Sequence, residues 1–529
     1  MRRNTTSLLD QLAELKDQFS PVAAASTQQI LNQLSRRSIK DTDDVVRYHE
    51  ILLFLRAYPK SAALVSATEN ELETFAKRVS SLQKQGVDLA PLQHPEVSGI
   101  AGTSVTDTFS FYIVRWLLQN YPLQLRLDWD WFEDENRLAE TWPRFIPLLE
   151  EDSFVEANIP YREWLASARK GRPELTWLVE QFDSLPKTDK ERAELYDSQQ
   201  LYVRWTPSWK ASRTGMRLAG RKPFYHRTTL IQRRDIDLGR ELSQHPPTLR
   251  KLSLRQGEKA IDMARAASTI RYRELYGFTH GDQRNVYHIE IGRGVELYLM
   301  GLPPEKRLPL RAYHAAMIYK NGVPIGYFEG LSLFERMESG FNLYYTFRDG
   351  ETAWLYARTL NVMHHFTGVT AFSLDPYQIG YENEEGIESG AFWFYRKLGF
   401  RPTNREALSL TLKEEEKIKT RTGYRTPAAT LRKLATSSMI FELNPERRGD
   451  WDRFQIRKVG FNALRAKISG NSLSSLASVL PGIKRWSEQE KSQLTRVVRA
   501  KAGEEEARYL KLMQRHERLR RAIIQLGSR

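Results

Sequence analysis

Five apolar runs crowd into residues 286–347, at 286–291, 295–300, 312–319, 324–334 and 341–347. Gly292 and Gly294 separate the first two, Lys320-Asn321-Gly322 the third and fourth, and Ser339-Gly340 the last two. Asn-Gly between apolar runs is the strongest short hairpin signal, because both residues accept positive φ. Parallel neighbours would need crossovers of about a dozen residues or more. The region therefore reads as an antiparallel meander.

The pattern then changes period. A helix is expected over 351–366, with Ala353, Ala357, Leu360 and Met363 on one side, followed by a strand at 369–374. Another helix spans 389–398 and stops at Gly399, and 407–412 closes as a last strand. Upstream, 249–275 reads as one helix through Met263, Ala266, Ala267 and Ile270. Most of 1–203 is helical, beginning with the stripe Leu8, Leu12, Leu15 and Phe19. The fold class is α+β: a central mixed sheet with helices, flanked by helical regions at both ends. The segments are a slightly acidic helical domain (1–203), an Arg- and aromatic-rich connector (204–248), the sheet domain (249–412) and a basic helical region (413–529).

Charge is distributed unevenly over these segments. Residues 1–203 hold 23 Lys/Arg against 31 Asp/Glu, 204–274 hold 17 against 6, and 413–529 hold 27 against 13. The two basic blocks suit a polyanion such as tRNA, or else packing against acidic surface within the chain. The interleaving of Trp205, Trp209, Arg213, Arg217, Arg221, Tyr225 and Arg227 suits base stacking in particular. Cysteine is absent, which excludes disulfides, thiolate metal sites and a cysteine nucleophile. The histidines form no persuasive ligand set, so no metal is expected. No apolar run reaches the roughly 18 residues of a membrane span, and Asp10, Glu14 and Lys16 fall where a signal peptide would be apolar. A soluble, cytoplasmic protein is expected.

Phe394-Tyr395-Arg396-Lys397-Leu398-Gly399-Phe400 ends the helix before the last strand. With the order hairpin, strand, glycine-containing loop, helix, strand, helix, Gly-Phe turn, it resembles the GNAT superfamily of acyl-CoA-dependent N-acyltransferases over roughly 250–412. The resemblance implies that Phe347, Arg348, Asp349, Gly350, Glu351 and Thr352 form the loop receiving the pyrophosphate of acetyl-CoA or another acyl-CoA. Independently of any family, a strand feeding a helix through a short turn offers unpaired N–H groups at a positive dipole end. The hexapeptide keeps the central glycine of the family's Q/R-x-x-G-x-G/A pattern and lacks both ends.

Direct acyl transfer from a thioester to an amine needs a base for the amine and a proton for sulfur. The resemblance implies the second role for Tyr395. Glu329, in an apolar strand where burial would raise its pKa, is the candidate base. Asp375, Gln378, Asn383 and Glu384 are candidates for holding acceptor or donor amides, and Asp375-Pro376 is equally a turn starter. The expected function is an acyl-CoA-dependent N-acyltransferase, an N-acetyltransferase in the simplest case, acting on an unidentified amine in a ternary complex. Two alternatives stand beside it: an aminoacyl-tRNA-dependent transferase with the same fold, and a degenerate binding module.

Overall fold

The computed structural model describes residues 5–134, 136–146, 148–465 and 479–528. It divides into two units, one of Met1–Arg227 with Met263–Leu275, the other of Thr228–Asp262 with Tyr276–Arg529. Among the described residues no helix is long and apolar enough to cross a membrane.

The first unit is mostly helical, with one small antiparallel sheet of Val105–Asp107, Leu125–Leu127 and Val203–Trp205. Its helix Thr42–Ala57 is buried from Ile51 to Ala57 on every side. That forces polar groups on it to be satisfied internally. Arg56 grips Glu69 through two bonds of 2.8 and 2.9 Å, and the His49 ring pairs with Thr214 Oγ1 at 2.8 Å. Two of the four interleaved arginines form ion pairs within the unit, Arg213 with Glu50 and Arg217 with Glu69, and the neighbouring Arg204 pairs with Asp128. Trp205 is fully buried.

The second unit is built on a nine-stranded sheet. Its strands are β1 (Leu249–Lys251), β2 (Val286–Gly292), β3 (Val295–Met300), β4 (Ala312–Lys320), β5 (Val323–Leu333), β6 (Arg336–Leu343), β7 (Ala371–Leu374), β8 (Arg401–Pro402) and β9 (Met439–Glu442). The spatial order is β8-β9-β7-β6-β5-β4-β3-β2-β1. The meander β1–β6 is antiparallel throughout, and Asn321 and Gly322 turn β4 into β5 with φ of 49° and 79°. Helix α1 (Thr352–Thr367) crosses from β6 to β7, which pair in parallel. Helix α2 (Ala391–Arg396) leads to β8.

Three expectations are corrected. Residues 407–412 are not a strand but part of helix α3 (Arg405–Thr420), capped by Asn404 accepting from the amides of Glu406 and Ala407. The deciding period is Ala407, Thr411 and Glu414, all buried, while Leu412 is 54% exposed; the alternating leucines misled. The sheet instead closes with β8 and β9. Residues 249–275 are not one helix: β1 precedes a helix that covers Leu254–Thr269. The apolar run 341–347 leaves the sheet at Leu343 and ends in a single tight turn, Tyr345–Phe347.

The basic C-terminal residues share one core with the sheet. Helices α4 (Ile456–Arg465), α5 (Glu506–Gln514) and α6 (Glu517–Ser528) belong to this region, and Tyr509, Leu510, Met513, Leu519 and Ile523 pack with Leu333, Phe334, Ala371 and Ile440. Gly503 lies in the break between Glu488–Lys501 and α5, and the Ser487/Glu490 capping box forms. Glu335, at the tip between β5 and β6, ties these layers together. Its carbonyl accepts the amides of Thr370 and Ala371 at 2.8 and 2.9 Å, which starts β7. Its carboxylate receives Arg520 of α6 at 2.9 and 3.0 Å through Nε, and the Trp451 indole at 2.8 Å.

Both members of the Glu335–Arg520 pair are buried, so removing one leaves an unpaired charge in the core. Arg520→Met is expected to lower stability to urea by about 3–5 kcal/mol. Adding Glu335→Gln should recover part of that loss, and a double-mutant cycle measures it.

Candidate functional site

β6 and β7 are paired only over Arg336–Ala371, Met337–Phe372 and Glu338–Ser373. β7 ends one residue later, while β6 runs on to Leu343. Asp375 turns the chain away by accepting the Tyr377 amide at 2.9 Å and opening the turn Pro376–Ile379. The two parallel strands therefore diverge, and the backbone of β6 beyond Glu338 faces a gap. Gln378 reaches into it: its Nε2 donates to the Phe341 carbonyl at 3.1 Å and to Tyr395 Oη at 3.2 Å.

Tyr395 is buried on α2, with its ring 5.4 Å from that of Tyr356 on α1 and 5.8 Å from Phe400. Burial holds its phenol well above the usual tyrosine range, so it keeps its proton. The oxygen accepts from Gln378, and the proton meets no acceptor among the described residues. It is a donor in reserve.

Glu329 lies across from Gly340 in the β5–β6 register. A Cβ at Gly340 would meet that of Glu329 at 3.9 Å, an ordinary contact distance, so the two positions share one face of the sheet. Burial raises the Glu329 pKa, and the hydrogen bond donated by Tyr313 Oη offsets only part of that. Tyr313 Oη in turn accepts the Gly277 amide at 3.1 Å. Phe341, the next residue of β6, points the other way, its ring 5.1 Å from Tyr356. Glu329 and Tyr395 thus stand on opposite faces of the sheet, at the level of residues 340–341, where β6 has lost its partner.

The loop 347–352 is arranged differently from an open anion cradle. Phe347 is buried, Arg348 pairs with Glu385, Asp349 is exposed, and Thr352 Oγ1 donates to the Arg348 carbonyl at 2.9 Å. The Gly350 amide closes on the Phe347 carbonyl at 3.1 Å. Glu351 turns inward, where Arg293 and Lys320 meet it at 2.5 and 3.3 Å and the Ile231 amide donates at 3.2 Å. Burial alone would raise the Glu351 pKa; the bond from Arg293 and the two positive charges outweigh it and hold it below the usual range. Lys320, fully enclosed and sharing that carboxylate with Arg293, is pushed down to about 8 by burial. Sequence spacing gave no sign of this cluster, because two separate hairpins bring its cations to the start of α1.

The remaining candidates have structural duties. Asn383 caps Glu384–Glu388 and donates to the Tyr377 carbonyl at 2.9 Å, while Glu384 forms an exposed pair with Arg432 at 2.8 Å. Of the four residues expected to hold amides, Gln378 is the one that reaches β6. His314 is buried and pushed down to about 3 by burial, and His288 pairs with Glu296 at 2.6 Å. Among the described residues no three His, Asp or Glu side chains gather as metal ligands.

Glu351→Gln is expected to lower the melting temperature at pH 7, at a cost of about 3 kcal/mol. Because the native pKa is depressed, this stabilisation is complete above the unfolded value of about 4.3 and is lost as pH falls through the lower native value. A pH series of melting curves should therefore show wild type and variant converging in acid. No family model, curated protein or solved structure matches this chain.

Proposed function

We propose that the second unit is an acyl-CoA-dependent N-acyltransferase acting on an amine by direct transfer. One observation carries the reading: a buried phenol with an uncommitted proton and a carboxylate of raised pKa flank the same two residues of β6, where the parallel strands part. The order of elements on which the GNAT resemblance rests also supports it, from the meander through α1, β7 and α2 to the Gly399-Phe400 turn.

In this reading Glu329 takes a proton from the acceptor ammonium, which frees the nitrogen lone pair to attack the thioester carbonyl. The new C–N bond forms as the C–S bond breaks, and Tyr395 gives its proton to the departing sulfur. Gln378 fixes the phenol oxygen and so the direction of that transfer. Glu351 does not oppose a diphosphate at the loop, since Arg293 and Lys320 already neutralise it. The acyl-CoA would supply the activated carbonyl.

A second reading has its own support. Gln378 occupies the Phe341 carbonyl that a donor chain lying along β6 would use, and Arg348 is committed to Glu385. Both features suit a scaffold that has lost donor binding.

Thermal unfolding with acetyl-CoA and longer acyl-CoAs separates the two. A donor at a hundredfold excess over its Kd should stabilise by about 3 kcal/mol, and Gly350→Glu should abolish the shift. Tyr395→Phe and Glu329→Gln should keep the shift and lower the transfer rate to an amine panel by about a hundredfold or more. The wild-type rate should rise as pH passes the elevated Glu329 pKa, a limb missing in Glu329→Gln. No shift with any acyl-CoA favours the second reading.

A further inference from the structure

On the Glu329 face of the sheet lies an open cleft of about 1470 Å3, larger than the ~300–1,000 Å3 of ordinary small-molecule pockets. Leu331, Arg336 and Ser373 form its floor, and its walls come from the chain around 403–406, 436–438 and 448–458. Of its five acids three are held: Asp450 and Asp452 by Arg520 and Arg401 at 2.9 Å each, and Glu338 at 3.9 and 3.7 Å from Arg311 and Arg336. Asp375 and Glu406 are exposed with no ion pair among the described residues, and so are Arg405, Arg448, Arg453 and Arg457, so the open arginines outnumber the open acids four to two.

Three of these four arginines belong to the basic C-terminal block. Some of that block's cations are taken up in ion pairs, as in Arg520, Arg447 and Lys501, whereas these three stand open at the cleft. Arg336 on the floor is fixed between the Trp451 and Phe454 rings, 5.6 and 5.7 Å away, and donates to Ser373 Oγ at 2.9 Å. Tyr381 presents a 43% exposed ring at the same cleft. Guanidinium groups on three separate elements, with an accessible aromatic face among them, match a chain of phosphates carrying flat bases.

We propose that this cleft binds single-stranded nucleic acid, with Arg405, Arg448, Arg453 and Arg457 on phosphates and Tyr381 stacking a base. The site stands on the cleft's own residues and needs nothing of the acyl-transfer reading. Binding is electrostatic in the main, so it weakens steeply with salt.

The test uses the full chain and labelled single-stranded RNA and DNA of about 12 nucleotides, followed by anisotropy from about 50 to 300 mM salt. Arg448→Gln with Arg453→Gln should weaken binding about tenfold or more and reduce the log–log salt slope by about 1.4. Tyr381→Ala should weaken it about tenfold with the slope unchanged, since stacking releases no counterion. Arg421→Gln with Arg425→Gln, exposed but outside the cleft, should leave binding intact. The tighter of the two polymers identifies the source. Failure of the wild type to bind either polymer would overturn the proposal, as would equal losses in the two arginine pairs. Displacement by polyglutamate as readily as by unlabelled oligonucleotide would also overturn it, and would point to an acidic protein instead.

Discussion

Three residue pairs are all that join β6 to β7, and the second unit is organised around where that pairing stops. Two parallel strands that part leave backbone groups of one of them without a ladder, and each must find another partner or face a cavity. Here the Phe341 carbonyl is met by Gln378, and Gln378 in turn sets Tyr395. On the other face Gly340 pairs with Glu329. The length of the β6–β7 ladder is set at one end by Glu335, whose carbonyl starts β7, and at the other by Asp375, whose side chain turns β7 away.

Charge is the second organising term. The chain carries an excess of Lys and Arg, and several of its buried cations sit on carboxylates: Arg56 on Glu69, Arg213 on Glu50, Lys320 on Glu351 beside the half-buried Arg293, and Arg520 on Glu335. Buried pairs of this kind contribute little net stability against an apolar alternative, but they are costly to break. Their effect is therefore on uniqueness: a strand or helix displaced by one register would strand a charge. Each pair removes one charge of each sign, so the net excess of +15 is unchanged and rests on the groups left unpaired.

The meander was legible because its hairpins depend on local chemistry. Asn321-Gly322 specifies its turn from two residues, and α1 and α2 announce themselves through period and a terminal glycine. The closing strands were not legible. β8 is two residues long, and β9 lies more than thirty residues further on, so neither shows a period. Leu408, Leu410 and Leu412 imitated a strand because alternation over so few residues cannot be told from one side of a helix. At the site, Glu329 and Tyr395 could be singled out individually, from an acid in an apolar strand and a motif tyrosine. Their placement on opposite faces at one level could not, since it rests on cross-strand register. The Glu351 cluster and the cleft were invisible for a related reason: each gathers side chains from distant segments, and no window of sequence contains them.

The pairing of Glu335 with Arg520 joins positions 185 residues apart. A ribosome adding about 5–20 residues per second separates their appearance by about 10–40 s. During that interval the tip between β5 and β6 exists without the helix that neutralises its carboxylate, and Phe334 and Ala371 lack the α6 side chains that will cover them. The sheet of a nascent chain thus spends a long time with the apolar side chains that α6 covers still facing water.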